Sequence, residues 1–497
     1  MTCSRFVLAL ALVPGLAAAE DPTTTLLARS LGPTPILEDL RVLTDEIGGR
    51  PTGSAALEQA VAWGVERFKA AGLENVHTEA YSAARTWLPL AETGEIFSKR
   101  PGGSSAEANR LRVAAMPFSF PTPATGLAAD VVDLGAADEA AFAAAGSVRG
   151  RFVLVHSEPM RTIDDLFKEY LLTPGIFERA KQAGAAGVLW MSTRPGKLLY
   201  RHNATLDGSL GSLPAAVVER EGALRIARLL AAGRPVSVQL TLTSAITEGA
   251  QARNDEAELR GRERPSEVVI LGAHLDSWDL GRGALDNGCN AALVVDVGRQ
   301  AMALARAGQR PRRTLRFVLY TGEEPGMFGS FAEVRSHRAE LDHVQAQIIY
   351  DEGTGRTSGF STGGRPDLVS GVDAALAPVA ALGPFRQTND AFVGTDNYDY
   401  LVEGVPTLVA NQDGPPYLPD YHAESDTLDK VDVRELKANS AIAAVLAWGL
   451  ADRPAPLGPR QSRAEVEALA KATGLEEQMK LFGLWDAFVS GARGREP

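Results

Sequence analysis

Continuously apolar runs alternate with amphipathic stretches along the second half of the chain. The apolar runs end near residues 273, 320 and 350, and the stretches 290–305 and 433–450 repeat apolar positions at helical spacing. Strands that are apolar at every position are typical of parallel sheets covered by helices on both faces. The pattern from 265 to 450 therefore predicts an α/β fold, with a mostly parallel mixed sheet and helices on both of its faces.

The first part of the chain adds a helix and a strand to this domain. Apolar residues recur at helical spacing across 57–68, Gly72 stands at a helix-capping position, and 74–81 has the composition of a strand. We expect residues 20–120 and 245–455 to form one discontinuous domain.

Residues 121–244 differ in pattern from the segments on either side. Several short strands and one helix are predicted there, without a cluster of ligand-type side chains. The predicted strands are 151–155, 187–190, 213–218 and 236–240, and the predicted helix is 223–232. We therefore expect a smaller, β-rich domain inserted into the first.

A proline-rich stretch, 454–459, ends the main domain, and the extension 456–497 completes the chain. Apolar residues recur on one helical face across 464–488. They are Val466, Leu469, Leu481, Leu484, Trp485 and Phe488. We expect a helical tail that packs on the main domain or forms a dimer contact.

The first 19 residues have the pattern of a secretory signal peptide. Arg5 precedes an apolar stretch at 6–16, and an Ala-x-Ala exit follows at 17–19. We expect residues 1–19 to be removed and the protein to be secreted or periplasmic. The mature chain would then keep only Cys289, which excludes an intramolecular disulfide.

Composition and charge argue against two classes of partner. The 497 residues are 45% hydrophobic and 23% charged, as in soluble globular proteins, and they are too many for one ordinary core. A net charge of −12 argues against a nucleic-acid partner. The apolar runs fall short of the ~20 residues that a membrane span needs.

Ligand-type side chains follow the predicted strands of the main domain. They are His274, Asp276, Asp286, Glu323, Glu324, Asp351 and His422. In open α/β sheets, ligands bind beyond the carboxyl ends of the strands. Two imidazoles with three carboxylates favour zinc over magnesium or calcium, with cobalt or manganese as substitutes. The pattern therefore predicts a site for two metal ions.

The positions of these residues suggest individual roles. Asp276 lies two positions after His274, on the same side of a strand, where its carboxylate can accept a hydrogen bond from the second ring nitrogen. We assign Glu324 to a metal ion and Glu323, which projects differently, to general base and acid chemistry. Asp286 lies in a glycine-rich loop, where it either bridges two cations or caps the helix that follows.

A serine hydrolase is the first alternative. Ser361 stands in a Gly-x-Ser-x-Gly pattern, and Asp396 and His422 follow it in the order found in α/β-hydrolases. A nucleophile elbow needs a strand before the serine and a helix after it. The glycines before Ser361 and the sequence Gly364-Arg365-Pro366 after it argue against that geometry.

The remaining histidines and the single mature cysteine lie outside these motifs. The histidines are His77, His156, His202, His337 and His343. We expect surface or packing roles for all five. Cys289, three residues past Asp286, is expected to be a small buried residue at the start of a helix.

The motifs resemble those of the dizinc exopeptidases related to aminopeptidase Y. The matching segments are 47–54, 272–279, 284–288, 310–316, 321–324 and 422–427, so the resemblance spans roughly residues 35–452. It implies that Asp286 bridges two zinc ions. It also implies that His274 and Asp351 complete one metal site, and that Glu324 and His422 complete the other.

The same resemblance implies an activity and a partner. It identifies residues 121–244 as a protease-associated insert. It also implies an exopeptidase that cleaves dipeptides or short peptides through a metal-bridged hydroxide, with Glu323 as general base and acid. Relatives of this kind often act as homodimers. A non-catalytic binding protein on the same scaffold is the second alternative, although such chains typically lose ligands or the base, and this one retains all six positions.

Overall fold

The fold was analysed in a computed structural model that describes residues 21–99, 106–414 and 417–496. The signal peptide predicted at 1–19 lies outside the described residues. Within these ranges, no helix combines the length and the apolar character needed to cross a lipid bilayer.

Helices and strands alternate along most of the chain. The helices are α1 (Pro22–Leu31), α2 (Ile36–Arg41), α3 (Ala55–Ala71), α4 (Glu139–Ala144), α5 (Ile163–Gln182), α6 (Arg220–Ala231), α7 (Cys289–Arg306), α8 (Phe328–Ser336), α9 (Val369–Leu376), α10 (Asn397–Val402), α11 (Val433–Asp452), α12 (Arg463–Thr473), α13 (Leu475–Leu481) and α14 (Trp485–Val489). The strands are β1 (Glu74–Lys99), β2 (Ala106–Leu111), β3 (Val113–Ala115), β4 (Leu127–Asp133), β5 (Phe152–Val155), β6 (Gly187–Met191), β7 (Ala215–Val218), β8 (Val236–Leu259), β9 (Arg264–His274), β10 (Arg313–Tyr320), β11 (Val344–Ile349), β12 (Thr357–Ser361) and β13 (Thr407–Gln412). Short helical turns lie at Val42–Ile47, Ala284–Gly288, Arg338–His343, Pro366–Leu368, Ala377–Leu382 and Leu428–Lys430.

The central strands confirm the predicted mixed sheet. Their spatial order is β12-β13-β11-β9-β10-β8, and the sheet continues through β4-β5-β6-β7-β3. Strands β13, β11, β9 and β10 run parallel to one another, whereas β12 and β8, which flank them, run antiparallel. The sheet remains open at both ends.

Helices cover both faces of the central strands. On one face, residues such as Leu293 of α7 and Leu446 of α11 are completely buried in the core. On the other face, Ile270 and Val318 pack with Val334 of α8. Burying a leucine or isoleucine side chain contributes about 1.5–3 kcal/mol. Because both faces are buried, apolar residues predominate toward the carboxyl ends of these strands, which explains the sequence pattern.

The register of the parallel strands brings their ends to one edge of the sheet. Tyr320 of β10 pairs with His274 of β9, and Ile349 of β11 pairs with Gly272 of β9. The loops that carry Glu323 and Asp351 therefore leave the sheet beside His274. This edge is where the sequence predicted the metal site.

A long two-stranded ribbon joins the two parts of the sheet. Strand β1 pairs with β8 from Glu74–Glu258 to Ser98–Val236. The sequence predicted only short strands at 74–81 and 236–240. The remainder of each strand has few of the alternating apolar residues that mark a half-buried strand. Backbone hydrogen bonds to the partner strand hold it in the ribbon.

The segment between the two halves of the main domain forms its own α/β layer. Strands β4, β5, β6 and β7 are parallel to one another, and α5 and α6 pack on them. Strand β3 pairs with β7, so this part of the sheet also includes residues that precede the predicted limit at 121. The limits 121–244 stay a prediction.

The C-terminal extension folds as α12, α13 and α14. Val466, Leu475 and Phe488 are fully buried in a cluster that also contains Tyr398 and Val402 of α10. The extension therefore packs against α10 of the main domain.

Candidate metal centre

Two groups of ligand-type atoms meet beyond the carboxyl ends of β9, β10 and β11. One group is His274, Asp286 and Asp351, and the other is Asp286, Glu324 and His422. The ligand atoms of each group lie within 4.8 Å of one another. All five residues border the same pocket. The structure therefore brings together every residue that the sequence proposed as a metal ligand.

Asp286 is shared by the two groups, with one oxygen directed to each. Its Oδ1 lies 3.3 Å from His274 Nε2, and its Oδ2 lies 3.2 Å from His422 Nε2. His274 Nε2 also lies 2.9 Å from Asp351 Oδ1, and His422 Nε2 lies 2.9 Å from Glu324 Oε2. This arrangement supports the bridging role of Asp286 over the capping role that the sequence left open.

Both imidazoles are oriented by backbone carbonyls. Nδ1 of His274 donates to the carbonyl oxygen of Asp276 at 3.0 Å, and Nδ1 of His422 donates to that of Arg201 at 3.2 Å. With the proton on Nδ1, the lone pair on Nε2 points toward the carboxylates. This tautomer is the one that a metal-binding imidazole needs.

The carboxylate of Asp276 has a different partner from the one the sequence predicted. Its Oδ1 is 3.7 Å from His274 Nδ1, farther than the backbone oxygen of the same residue. Instead, it accepts hydrogen bonds from the Thr52 hydroxyl at 2.7 Å and from the backbone N–H groups of Glu323 at 3.2 Å and Glu324 at 3.4 Å. Strand β9 ends at His274, so the two-residue strand periodicity no longer applies at Asp276. Asp276 therefore holds the loop that carries the glutamate pair.

Two buried residues hold the loop of Asp286, and the sequence analysis assigned neither of them this role. Asp426 accepts from the backbone N–H groups of Ala284, Leu285 and Asp286 at 3.0, 2.6 and 3.2 Å. The fully buried guanidinium of Arg50 donates to the carbonyl oxygens of Gly48, Leu275, Arg282 and Gly283. Both lie in segments that matched the exopeptidase motifs, and this match was the one feature of the sequence that could have indicated a role at the site.

His422 is held in an unusual backbone conformation. Its φ of 56° lies in the left-handed region, which few residues other than glycine adopt. Arg201 N–H donates to its carbonyl oxygen at 3.0 Å, and the ring of Tyr421 stacks on its imidazole with centroids 3.7 Å apart. The Tyr421 hydroxyl lies 2.9 Å from that of Tyr170 on α5. The inserted segment therefore contacts the metal centre through this tyrosine pair.

The carboxylates of the site are buried and close together, which favours bound cations. Burial raises the pKa of Glu324 to about 7. Burial also raises the pKa of Glu323, with the charge of Asp351 adding to the effect and His274 opposing it. For Asp286, burial would raise the pKa, but the two neighbouring imidazoles hold it well below its usual value. Within the described part of the chain, Glu324 Oε1 is buried without a hydrogen-bond partner.

The donor set fits two divalent cations. Asp286, Glu323, Glu324 and Asp351 carry four negative charges when ionised, and two divalent cations balance them. Imidazole together with carboxylate suits zinc better than magnesium or calcium. The unpartnered oxygen of Glu324 is available to such an ion.

The pocket in front of the ligands has apolar walls from three parts of the chain. Helix α5 contributes Ile163, Leu166, Phe167 and Tyr170, which share one helical face. The main domain contributes Met327, Phe392 and Val393, and the C-terminal extension contributes Phe482. The sequence pattern predicted no site residue in either the insert or the extension.

Ser361 does not form a catalytic triad. It ends β12, and its Oγ donates to the carbonyl oxygen of Asp390 at 2.6 Å. Both ring nitrogens of His422 are directed to Arg201, Asp286 and Glu324. Asp396 is fully buried, and the described residues that border the pocket do not include it. The structure therefore argues against the serine hydrolase alternative.

Ser361→Ala is expected to leave peptidase activity within about twofold of the wild type. The hydroxyl donates one hydrogen bond to a backbone carbonyl and accepts one from the backbone N–H of Gly363 at 3.3 Å, so its removal costs about 1–3 kcal/mol of stability. Activity after treatment with a fluorophosphonate, compared with activity after chelation, provides the check. Inhibition by the fluorophosphonate with resistance to the chelator would restore the serine alternative.

Comparison with known proteins finds similarity to metallopeptidases. Residues 256–447 match the family model described as peptidase family M28. Carboxypeptidase Q from Bos taurus is 28% identical over 421 residues, which cover 84% of this chain and 85% of that protein. Carboxypeptidase Q from Homo sapiens is 28% identical over 422 residues, with the same coverage of both chains.

Solved structures agree with this placement. A peptidase M28 precursor from Shewanella amazonensis superposes with a TM-score of 0.79 at 28% identity, covering 88% of this chain and 98% of that one. A zinc aminopeptidase from Bacillus subtilis superposes with a TM-score of 0.65 at 16% identity, covering 86% and 97%, and shares the fold. The resemblance to the exopeptidase family that the sequence motifs indicated is confirmed.

Proposed function

The chain carries a peptidase family M28 domain over residues 256–447, and on this premise we propose that it is a two-zinc exopeptidase. We propose that it removes the amino-terminal residue of dipeptides or short peptides. The observation that carries the proposal is the Asp286 carboxylate, which directs one oxygen to the His274 group and the other to the His422 group. Glu323 borders the same pocket and belongs to neither group.

Glu323 is the general base and acid of this proposal. Bound divalent cations would lower the pKa of a water molecule and stabilise negative charge on the carbonyl oxygen of the substrate. Glu323 accepts the proton of the attacking water and returns it to the leaving amine. Asp276 keeps the carboxylate in place by binding the backbone N–H of Glu323.

The charges of the pocket favour a free amino terminus over a free carboxyl terminus. Among the described residues that border the pocket, none is a lysine or an arginine that would pair with a substrate carboxylate. The pocket has an additional acid, Glu352, whose pKa burial raises to about 7. A substrate ammonium group would pair with the Glu352 carboxyl, whose Oε2 also accepts from the backbone N–H of Gln412 at 2.9 Å. An enzyme that releases carboxy-terminal residues would need a cation here instead.

The walls of the pocket favour an apolar first residue. Leu166, Phe167, Phe392 and Phe482 present apolar surface beside the ligands. The rings of Phe167 and Phe392 meet edge to face at 6.2 Å. Burying a leucine or phenylalanine side chain of the substrate there contributes about 1.5–3 kcal/mol.

Secretion and a homodimer complete the proposal. The basic residue, apolar stretch and Ala-x-Ala exit at 1–19 support export, which suits an enzyme that degrades external peptides. The homodimer rests on the resemblance to the exopeptidases.

The direct test combines metal analysis with a dipeptide library. We expect purified protein to contain two zinc ions per chain at the catalytic centre and to cleave dipeptides with a leucine or phenylalanine first residue. Chelation should abolish cleavage, and zinc, cobalt or manganese should restore it. Full metal content without cleavage of any library member would favour the non-catalytic binding protein.

Acetylating the amino terminus of a good substrate is expected to lower kcat/KM by about 10–100-fold. The loss of a charge-assisted contact is worth about 1.5–3 kcal/mol, and each 1.36 kcal/mol corresponds to a tenfold change in rate. Amidating the carboxyl terminus of the same peptide should change kcat/KM by less than about threefold. The measurement compares three forms of one tripeptide: free, acetylated and amidated. The reverse ranking would assign the enzyme to the carboxypeptidases.

A further inference from the structure

A second group of metal-ligand side chains lies on the β1–β8 ribbon, away from the pocket. It consists of His77, Glu79 and Glu256, whose ligand atoms lie within 4.8 Å of one another. The described residues that border the catalytic pocket include none of the three. We propose that this group binds one further divalent cation of the zinc type, independent of the catalytic centre.

The strand register builds the group. His77 of β1 pairs directly with Glu256 of β8, and Glu79 follows two residues later on the same face. Directly opposed residues of an antiparallel pair have Cβ atoms about 4.5–5.5 Å apart. From a third element, the residue after α8, His337, brings its Nε2 to 2.9 Å from both oxygens of Glu79. Glu79 therefore lies between two imidazoles.

Both imidazoles present their Nε2 atoms to carboxylates, as the ligands of the catalytic centre do. His77 Nδ1 donates to the carbonyl oxygen of Asn75 at 2.8 Å, and its Nε2 lies 3.3 Å from Glu79 Oε1. His337 Nδ1 lies 3.3 Å from Glu340 Oε2. An acceptor at Nδ1 leaves the Nε2 lone pair free for a metal ion. The same arrangement occurs at His274 and His422.

The buried carboxylate of Glu256 points most directly to a bound ligand. The residue is 1% exposed, and its Oε1 is buried without a hydrogen-bond partner among the described residues. Its Oε2 is 3.8 Å from Arg316 Nε, but the same arginine lies 3.1 Å from Glu258. A buried carboxylate oxygen without a partner is costly, and a cation removes that cost.

The chemistry of the donors selects the type of ion. An imidazole with two carboxylates suits zinc, whereas calcium and magnesium prefer oxygen ligands alone. The side chains of His77, Glu79 and His337 are 37%, 24% and 20% exposed, so an ion can enter from solvent. A competing occupant is a proton, because the carboxylate of Glu79 raises the pKa of His337 to about 9.

An ion at this position would join β1 and β8, and its ligand Glu79 contacts His337 at the end of α8. His77 and Glu256 come from β1 and β8, and His337 follows the last residue of α8. Helix α8 begins at Phe328, shortly after the loop of Glu323 and Glu324. The ion would therefore lie next to the far end of the helix that follows the catalytic loop, with Glu79 between them.

The test counts zinc ions on the full chain. Protein stripped with a chelator is loaded with zinc, freed of excess by gel filtration, and analysed for metal by mass spectrometry. We expect three ions per chain for the wild type and two for His77→Ala and for Glu256→Gln. His343→Ala, which removes an exposed histidine outside this group, should retain three. Because neither His77 nor Glu256 touches the pocket, both variants should retain peptidase activity.

Thermal unfolding supplies a second readout. Zinc should raise the Tm of the wild type further than that of His77→Ala, because one more ion stabilises the native state. Asp286→Ala should lose the catalytic ions but keep this one, so a failure of the proposed function is distinguishable from a failure of this inference. Two ions in the wild type, or an equal count in wild type and His77→Ala, would overturn the inference in favour of a protonated His337 paired with Glu79.

Discussion

Glu323→Gln is expected to lower kcat/KM for peptide cleavage by about 10²–10⁴-fold while zinc content stays unchanged. General acid–base catalysis contributes a factor of this size, and an amide cannot accept the proton of the attacking water. Glu323 belongs to neither ligand group, so its replacement leaves the donors in place. The measurement pairs steady-state kinetics on a dipeptide with metal analysis of the same sample.

A matched control separates this effect from a general loss of structure. Glu66→Gln makes the same chemical change at a residue whose side chain is 70% exposed, and it should leave kcat/KM near the wild-type value. Circular dichroism and Tm should be similar for all three proteins. Turnover of Glu323→Gln within tenfold of the wild type would remove Glu323 from the base role, and loss of zinc would make it a ligand instead.

Asp286→Ala is expected to remove zinc from both catalytic positions and to reduce activity to background. The other ligands belong to one group each, but Asp286 belongs to both. Its removal leaves each group with one imidazole and one carboxylate, too few donors for a closed zinc site. Asp351→Ala and Glu324→Ala should each lose about one ion, since each removes a donor from a single group. Metal analysis of the three variants side by side provides the check.

The stability of Asp286→Ala should also respond differently to zinc. An ion that binds only the native state stabilises it by about 2.7 kcal/mol at a concentration 100 times its Kd. The wild type should therefore show a larger zinc-dependent rise in Tm than this variant. Equal zinc content in Asp286→Ala and Asp351→Ala would contradict the bridging role and restore helix capping as the function of Asp286.

The sequence was sufficient to predict the sheet and the composition of the site. A strand buried on both faces is mostly apolar, so the apolar runs of β9, β10 and β11 were recognisable without knowledge of their neighbours. Residues that follow such strands lie at the carboxyl edge of the sheet, where ligands bind. His274, Glu323, Glu324 and Asp351 could therefore be assigned to one site from their positions alone.

Hydrogen-bond partners that depend on exact atom positions could not be predicted in this way. Asp276 illustrates the limit: the two-residue periodicity predicted that its carboxylate contacts the His274 ring, but β9 ends at His274, and the carboxylate binds the loop of Glu323 instead. Arg50 and Asp426 hold the loop of Asp286 through backbone atoms. Backbone hydrogen bonds between distant segments leave no residue pattern that identifies the partner.

The sequence by itself determined the fold class and the donor chemistry, because burial and strand ends act through local patterns. The tertiary structure alone decided what surrounds the donors. Helix α5 and Phe482, more than 300 residues apart in the chain, wall the same pocket. The ribbon register places His77 opposite Glu256. Such contacts depend on how segments that are distant in the chain pack together. The sequence does not reveal them, because an apolar surface has the same pattern whether it faces a core or a substrate.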